Sequence, residues 1–181
     1  SFMMKKYYYL SFTFLFTFLF NQSVMPGLTI FTPQVGGGGG ATTYLKNESG
    51  STVKTWSHSR GPASMPYMYP DSSILYPYRV QNPTMNAGGV GGGVQQISWD
   101  GEILWDHQIS NNDYQHHHDV EPLPNGNVLI MAWATKTASE TYAVGREEIN
   151  NPLNECWSEA VFEYDPNQDV IVWEWHLWDH L

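Results

Sequence analysis

An all-β fold is predicted by three features of the 181-residue sequence: short segments rich in Trp, Tyr and Val, turn residues between them, and hairpins that recur in a fixed order. Two kinds of hairpin are expected. The first pairs 43–46 with 52–57, 94–99 with 103–109 and 160–164 with 170–176, and carries a tryptophan late in each pair, at Trp56, Trp105 and Trp173. Its turns are Asn47-Glu48-Ser49-Gly50, Asp100-Gly101 and Asp165-Pro166-Asn167. Asp-Gly is the strongest of these, because glycine accepts the positive φ of a tight hairpin. The second kind pairs 64–69 with 74–80 and 117–123 with 128–134, across Pro70-Asp71-Ser72-Ser73 and Pro124-Asn125-Gly126-Asn127. Segment 137–146 has the best helical composition and is expected as one short helical insertion capping a face of the sheets. The glycine tracts 36–40 and 88–93 are expected as flexible connectors, since neither is followed by the Lys-Ser/Thr or the helix that a phosphate loop requires.

Alternation of the two hairpin types gives a repeat of about four strands in the ~40 to 50 residue range of propeller blades. Ten strands at four per blade make about two and a half blades, fewer than the four to eight that close a ring. The predicted fold class is therefore a partial β-propeller, with the chain expected to be a fragment. A small sandwich or open sheet is the alternative. The expected organisation is 1–23 as a signal peptide or N-terminal anchor, 24–42 as a lead-in with the first glycine-rich loop, and 43–181 as the incomplete propeller domain.

The signal reading rests on Lys5-Lys6 followed by an aromatic and leucine-rich run over 7–20. That run is shorter than the ~20 residues a membrane-spanning helix needs, which favours a cleaved peptide, a periplasmic or secreted location and no stable membrane insertion afterwards. A formal net charge of -10 with eight Lys and Arg argues against a nucleic-acid partner, whose affinity comes from clustered cations. Cys156 is the only cysteine, so an intrachain disulfide and a Cys-based zinc site are excluded.

Chemistry concentrates at His116-His117-His118-Asp119, which leads into Glu121-Pro122-Leu123-Pro124-Asn125-Gly126-Asn127 and the strand beyond. Imidazole can act as nucleophile, proton carrier, metal ligand or donor to an anion, and a strand ending in a tight turn fixes its direction. In an extended segment His116 and His118 share one face and His117 and Asp119 the other, so one pair alone can face a central channel. His118 is the expected channel residue; His117 with Asp119 is the opposite assignment. Adjacent histidines can also be satisfied structurally, by backbone carbonyls and Asp119.

The segments 27–31, 43–45, 97–105, 117–130 and 172–176 together resemble the bacterial arylsulfotransferase family. The most specific part is His117-His118-Asp119 running into Leu123-Pro124-Asn125-Gly126-Asn127. The resemblance implies a six-bladed propeller exported to the periplasm. It also implies transfer of a sulfuryl group from an aryl sulfate to a phenolic acceptor through a transiently sulfated histidine, with no cofactor and no nucleotide sulfate donor. His118 matches a catalytic channel histidine contacting sulfate, with Asp119 the acid beside it. The nucleophilic histidine is implied to belong to a later blade, leaving these residues inactive by themselves.

Sulfuryl transfer asks the protein to position a group of spread negative charge and to meet it with donors. Arg60 and Arg79 are candidate substrate-binding residues beside His117 and Asp119, because the arginine fork fits sulfate oxygens; ordinary salt bridges are their alternative. Arg146 is expected to be structural. Trp133, Trp178 and Tyr114 are packing residues that could stack on an aryl ring. Two other functions stand beside the transferase: a non-catalytic binding module on the same scaffold, and a metal-dependent hydrolase drawing on His176 or His180. No metal site is assigned, since consecutive strand residues splay apart and at most two of the four could reach one ion.

Overall fold

The computed structural model describes residues 26–34 and 39–181, and the expected signal segment lies outside them. Three antiparallel sheets follow one another along the chain. The first holds β1 (Thr29–Phe31), β2 (Ala41–Lys46) and β3 (Thr52–His58); the second β4 (Tyr67–Met68), β5 (Ile74–Arg79), β6 (Gly92–Ile97) and β7 (Ile103–Gln108). The third holds β8 (Tyr114–Pro122), β9 (Val128–Thr137), β10 (Glu155–Asp165) and β11 (Val170–His176). Strands adjacent in space are adjacent in sequence in every sheet. The described residues are all-β apart from α1 (Ala138–Ala143) and a 3₁₀ turn at Leu177–His180.

All five predicted hairpins form, with β1 added at an edge too short to carry a sequence pattern. Positive φ at Gly50, Gly101 and Gly126 closes three of the turns: each glycine N–H donates to the carbonyl three residues earlier, and the left-handed glycine after the turn leads the chain into the returning strand. The helix is shorter than the predicted 137–146. Thr137 caps it, accepting from the Glu140 N–H while Glu140 accepts from the Thr137 N–H. Gly145, at φ 96°, ends it.

Burial explains the stacking of the sheets. Along β9, Val128, Ile130 and Ala132 are buried while Met131 is exposed, the period-two pattern of a strand with one dry face. β5 is buried on both faces: Ile74, Tyr76 and Tyr78 pack with Leu45 and Trp56 of the first sheet, and Leu75 packs with Val128, Ile130, Ala160 and Phe162 of the third. The second sheet is therefore the middle layer. Each of its large side chains removes apolar area from water worth roughly 1.5–3 kcal/mol.

The second glycine tract is not a flexible connector. Gly92 and Gly93 belong to β6 and are buried. An added Cβ at Gly93 would lie 2.2 Å from the Tyr78 ring, at Gly91 2.5 Å from the His116 ring, and at Gly89 2.2 Å from the His118 ring. The tract is a backbone pressed against aromatic and imidazole faces, which no other residue permits.

Candidate functional site

The histidine run sits on β8, the first strand of the third sheet. Its pairing with β9 matches His116 to Ala132 and then jumps to Val120 with Ile130, so three residues oppose Met131 alone. This bulge breaks the expected alternation. His118 takes φ 55°, a left-handed conformation that costs a residue with a Cβ roughly 1–2 kcal/mol. Hydrogen bonds to the glycine loop hold it: His118 N–H donates to Gly89 O at 2.7 Å and Gly91 N–H donates to His116 O at 3.0 Å.

The four side chains part company as a result. His116 is fully buried; its Nδ1 accepts from the Gly92 N–H at 2.9 Å, and burial pulls it down to about 3, so it is neutral. With Nδ1 accepting, its proton is on Nε2, which finds no partner among the described residues. Asp119 turns toward the second sheet, where both its oxygens accept from Tyr67 Oη, at 3.0 and 2.9 Å, and Oδ1 accepts from Ser64 Oγ at 2.8 Å. Burial and this bond push the Tyr67 hydroxyl up to about 12. Asp119 thus ties the first strands of two sheets together and is not in the same place as His117.

His117 and His118 stay together. Their Nδ1 atoms are 2.8 Å apart, and His117 Nε2 is 2.8 Å from Glu159 Oε2. The His117 ring lies flat on Trp133, centroids 4.3 Å apart, and Trp133 contacts Trp157 at 5.3 Å. Burial lowers the His117 pKa, with Glu159 opposing. His118 is exposed. The arrangement is a carboxylate, a buried imidazole and an exposed imidazole in series, a geometry suited to moving or holding a proton.

Other sequence-predicted residues are elsewhere. The Arg60 guanidinium lies over the Tyr78 ring at 5.7 Å, and Arg79 ends β5 opposite Gly92. No hydrogen bond or ion pair links either to the histidines among the described residues. Arg146 donates from Nε to Glu148 O at 2.8 Å and lines an open groove of about 880 Å³ with Trp157 and Trp178. Tyr114 packs edge-on against Phe162 at 5.0 Å. His176 pairs with Glu174 at 3.4 Å and His180 stacks on Trp175. Among the described residues no three His, Cys, Asp or Glu side chains are grouped to hold a metal ion, and no helix is long and apolar enough to cross a membrane.

Glu159 is the site residue that sequence reasoning missed. It lies 42 residues from His117, and the predicted strand began one residue later, at Ala160. Its signal is the cross-strand register, which sets Glu159 directly opposite Trp133. Gly89 was missed as a site residue for a different reason: what it contributes is the absence of a side chain.

No family model and no curated protein matches the chain. Among solved structures it is similar to a protein of unknown function from Bacteroides caccae, at 13% identity and a TM-score of 0.48, over 84% of this chain and 41% of that one. The chain thus spans less than half the length of that neighbour.

Proposed function

We propose that these residues are blades of a β-propeller that transfers sulfuryl groups from aryl sulfates to phenols, with His118 the imidazole that meets the sulfate. The observation that carries this reading is the exposed His118 ring, held on a bulged first strand by Gly89 and linked through His117 to Glu159. Three further points support it: the resemblance in the His117–Asn127 stretch, the sequence-ordered sheets, and the stacking of consecutive sheets expected of neighbouring blades. Protonated, His118 donates to a sulfate oxygen or a leaving phenolate; neutral, it accepts the acceptor's proton.

The resemblance assigns the nucleophile to a histidine outside this sequence, so binding is the primary readout. p-Nitrophenyl sulfate added to the chain with a phenol present is expected to perturb the His118 ring resonances beyond the effect of the phenol alone, and His118→Ala to abolish the binding. Nitrophenol release that depends on added phenol scores the transfer itself only in a protein that also carries the implied later-blade histidine. No binding by the chain, with His118→Ala indistinguishable from it, overturns the proposal. A second reading, a non-catalytic binding module, is favoured by the absence of a bonded arginine or lysine at the histidines among the described residues; it predicts binding with no phenol-dependent release even when the later blades are present.

A further inference from the structure

The hydrogen bonds around His117 determine which nitrogen of His118 carries a proton. A carboxylate only accepts, so the contact between Glu159 Oε2 and His117 Nε2 at 2.8 Å requires the His117 proton on Nε2. His117 is buried, its side chain 4% exposed, and burial favours its neutral form. A neutral imidazole has one N–H, which leaves His117 Nδ1 bare. The 2.8 Å contact between the two Nδ1 atoms is then a hydrogen bond only if His118 supplies its proton there. His118 therefore carries a proton on Nδ1, and in its neutral form presents an unprotonated Nε2. Isolated imidazole side chains prefer the opposite tautomer, so something in the fold must impose this one.

We infer that Glu159 is a positioning residue that, through His117, fixes His118 with a bare Nε2, so that the resting site recognises a weakly acidic hydroxyl such as a phenol before it recognises an anion. A lone pair on Nε2 accepts an O–H proton and repels sulfate oxygens. When a phenol binds, its O–H bond breaks as the Nε2–H bond forms; the positive charge left on His118 is stabilised through Nδ1–H, His117 and the Glu159 carboxylate. The proton can then be returned to a leaving oxygen, so the step is balanced without another reactant. Only in that protonated state does His118 become a donor to sulfate. The inference rests on the site proposed above, but not on sulfate being its substrate.

Two-bond nitrogen–proton NMR on the chain labelled at histidine nitrogens reads the tautomer directly. His118 is expected to show a pyridine-like Nε2 and a protonated Nδ1 at neutral pH. Glu159→Leu is expected to lose this pattern in favour of the ordinary Nε2–H form, and Glu159→Gln, whose amide oxygen can still accept from His117, to keep it. Phenol should shift Nε2 at neutral pH, and inorganic sulfate should not. A His118 that is Nε2–H in the parent chain overturns the inference whatever the variants do; so does a tautomer unchanged in a folded Glu159→Leu, or sulfate shifting Nε2 in place of phenol. The measurement needs no turnover: a wrong tautomer with intact p-nitrophenyl sulfate binding condemns the relay alone, and a right tautomer that responds to phenol but binds no p-nitrophenyl sulfate in the presence of phenol condemns the sulfuryl reading alone.

Discussion

Gly89 holds the His118 backbone and leaves room for its ring. Its φ of 82° is in the region glycine alone occupies without strain, and a Cβ there would strike the His118 ring at 2.2 Å. Gly89→Ala is therefore expected to lower stability by about 1–3 kcal/mol in urea unfolding and to displace the His118 ring resonances; a variant unchanged in both would show that the ring does not rest on the loop. The buried imidazoles set a pH limit. His58, stacked on Tyr76 at 3.6 Å, and His116 are held down to about 4 and about 3 by burial. Unfolded chains bind protons at these residues near pH 6.5, so between that value and the folded ones the unfolded state holds more protons and stability falls as pH falls. Urea midpoints should be flat above pH 7 and drop from 6.5 toward 4, His116 contributing about 1.4 kcal/mol per pH unit. His116→Gln should show a shallower drop.

Hairpins were legible because turn chemistry is local. Asp100-Gly101 and Asn125-Gly126 state where a chain reverses, and the alternation in β9 states which face is dry. The bulge in β8 was not legible, because it is imposed from outside the strand: by Gly89 and Gly91 bonding its backbone, and by Ser64 and Tyr67 drawing Asp119 to the second sheet. Strict alternation would have put Asp119 with His117, and that pairing fails once three residues stand against one. The same logic makes the Asp119 tether testable. Tyr67→Phe removes the donor to both carboxylate oxygens at an expected cost of about 1.5–3 kcal/mol. Hydrogen exchange at the His118 amide should quicken while amides between β10 and β11 keep their protection; uniform change across the third sheet would mean the tether acts on the whole sheet and not on the bulge.

At the scale of the molecule, two dry layers are shared among three sheets. Ile130→Ala in the layer between the second and third is expected to cost about 2–5 kcal/mol, and its effect on the melting of the first sheet is informative because β5 belongs to both layers. Exposed Val172 and Trp173, at 47% and 48%, lie on the edge strand β11, where unpaired backbone invites association. Trp173→Lys should lower the sedimentation average at high concentration without moving the urea midpoint by more than about 0.5 kcal/mol. Both layers draw on the same two strands, β5 and β6. Peeling away the first sheet would wet Tyr76 and Tyr78, and peeling away the third would wet Leu75, so dissection at either junction leaves a remnant with an oily flank. The three sheets should accordingly unravel in a single step, and no pair of them should survive as a smaller autonomous unit.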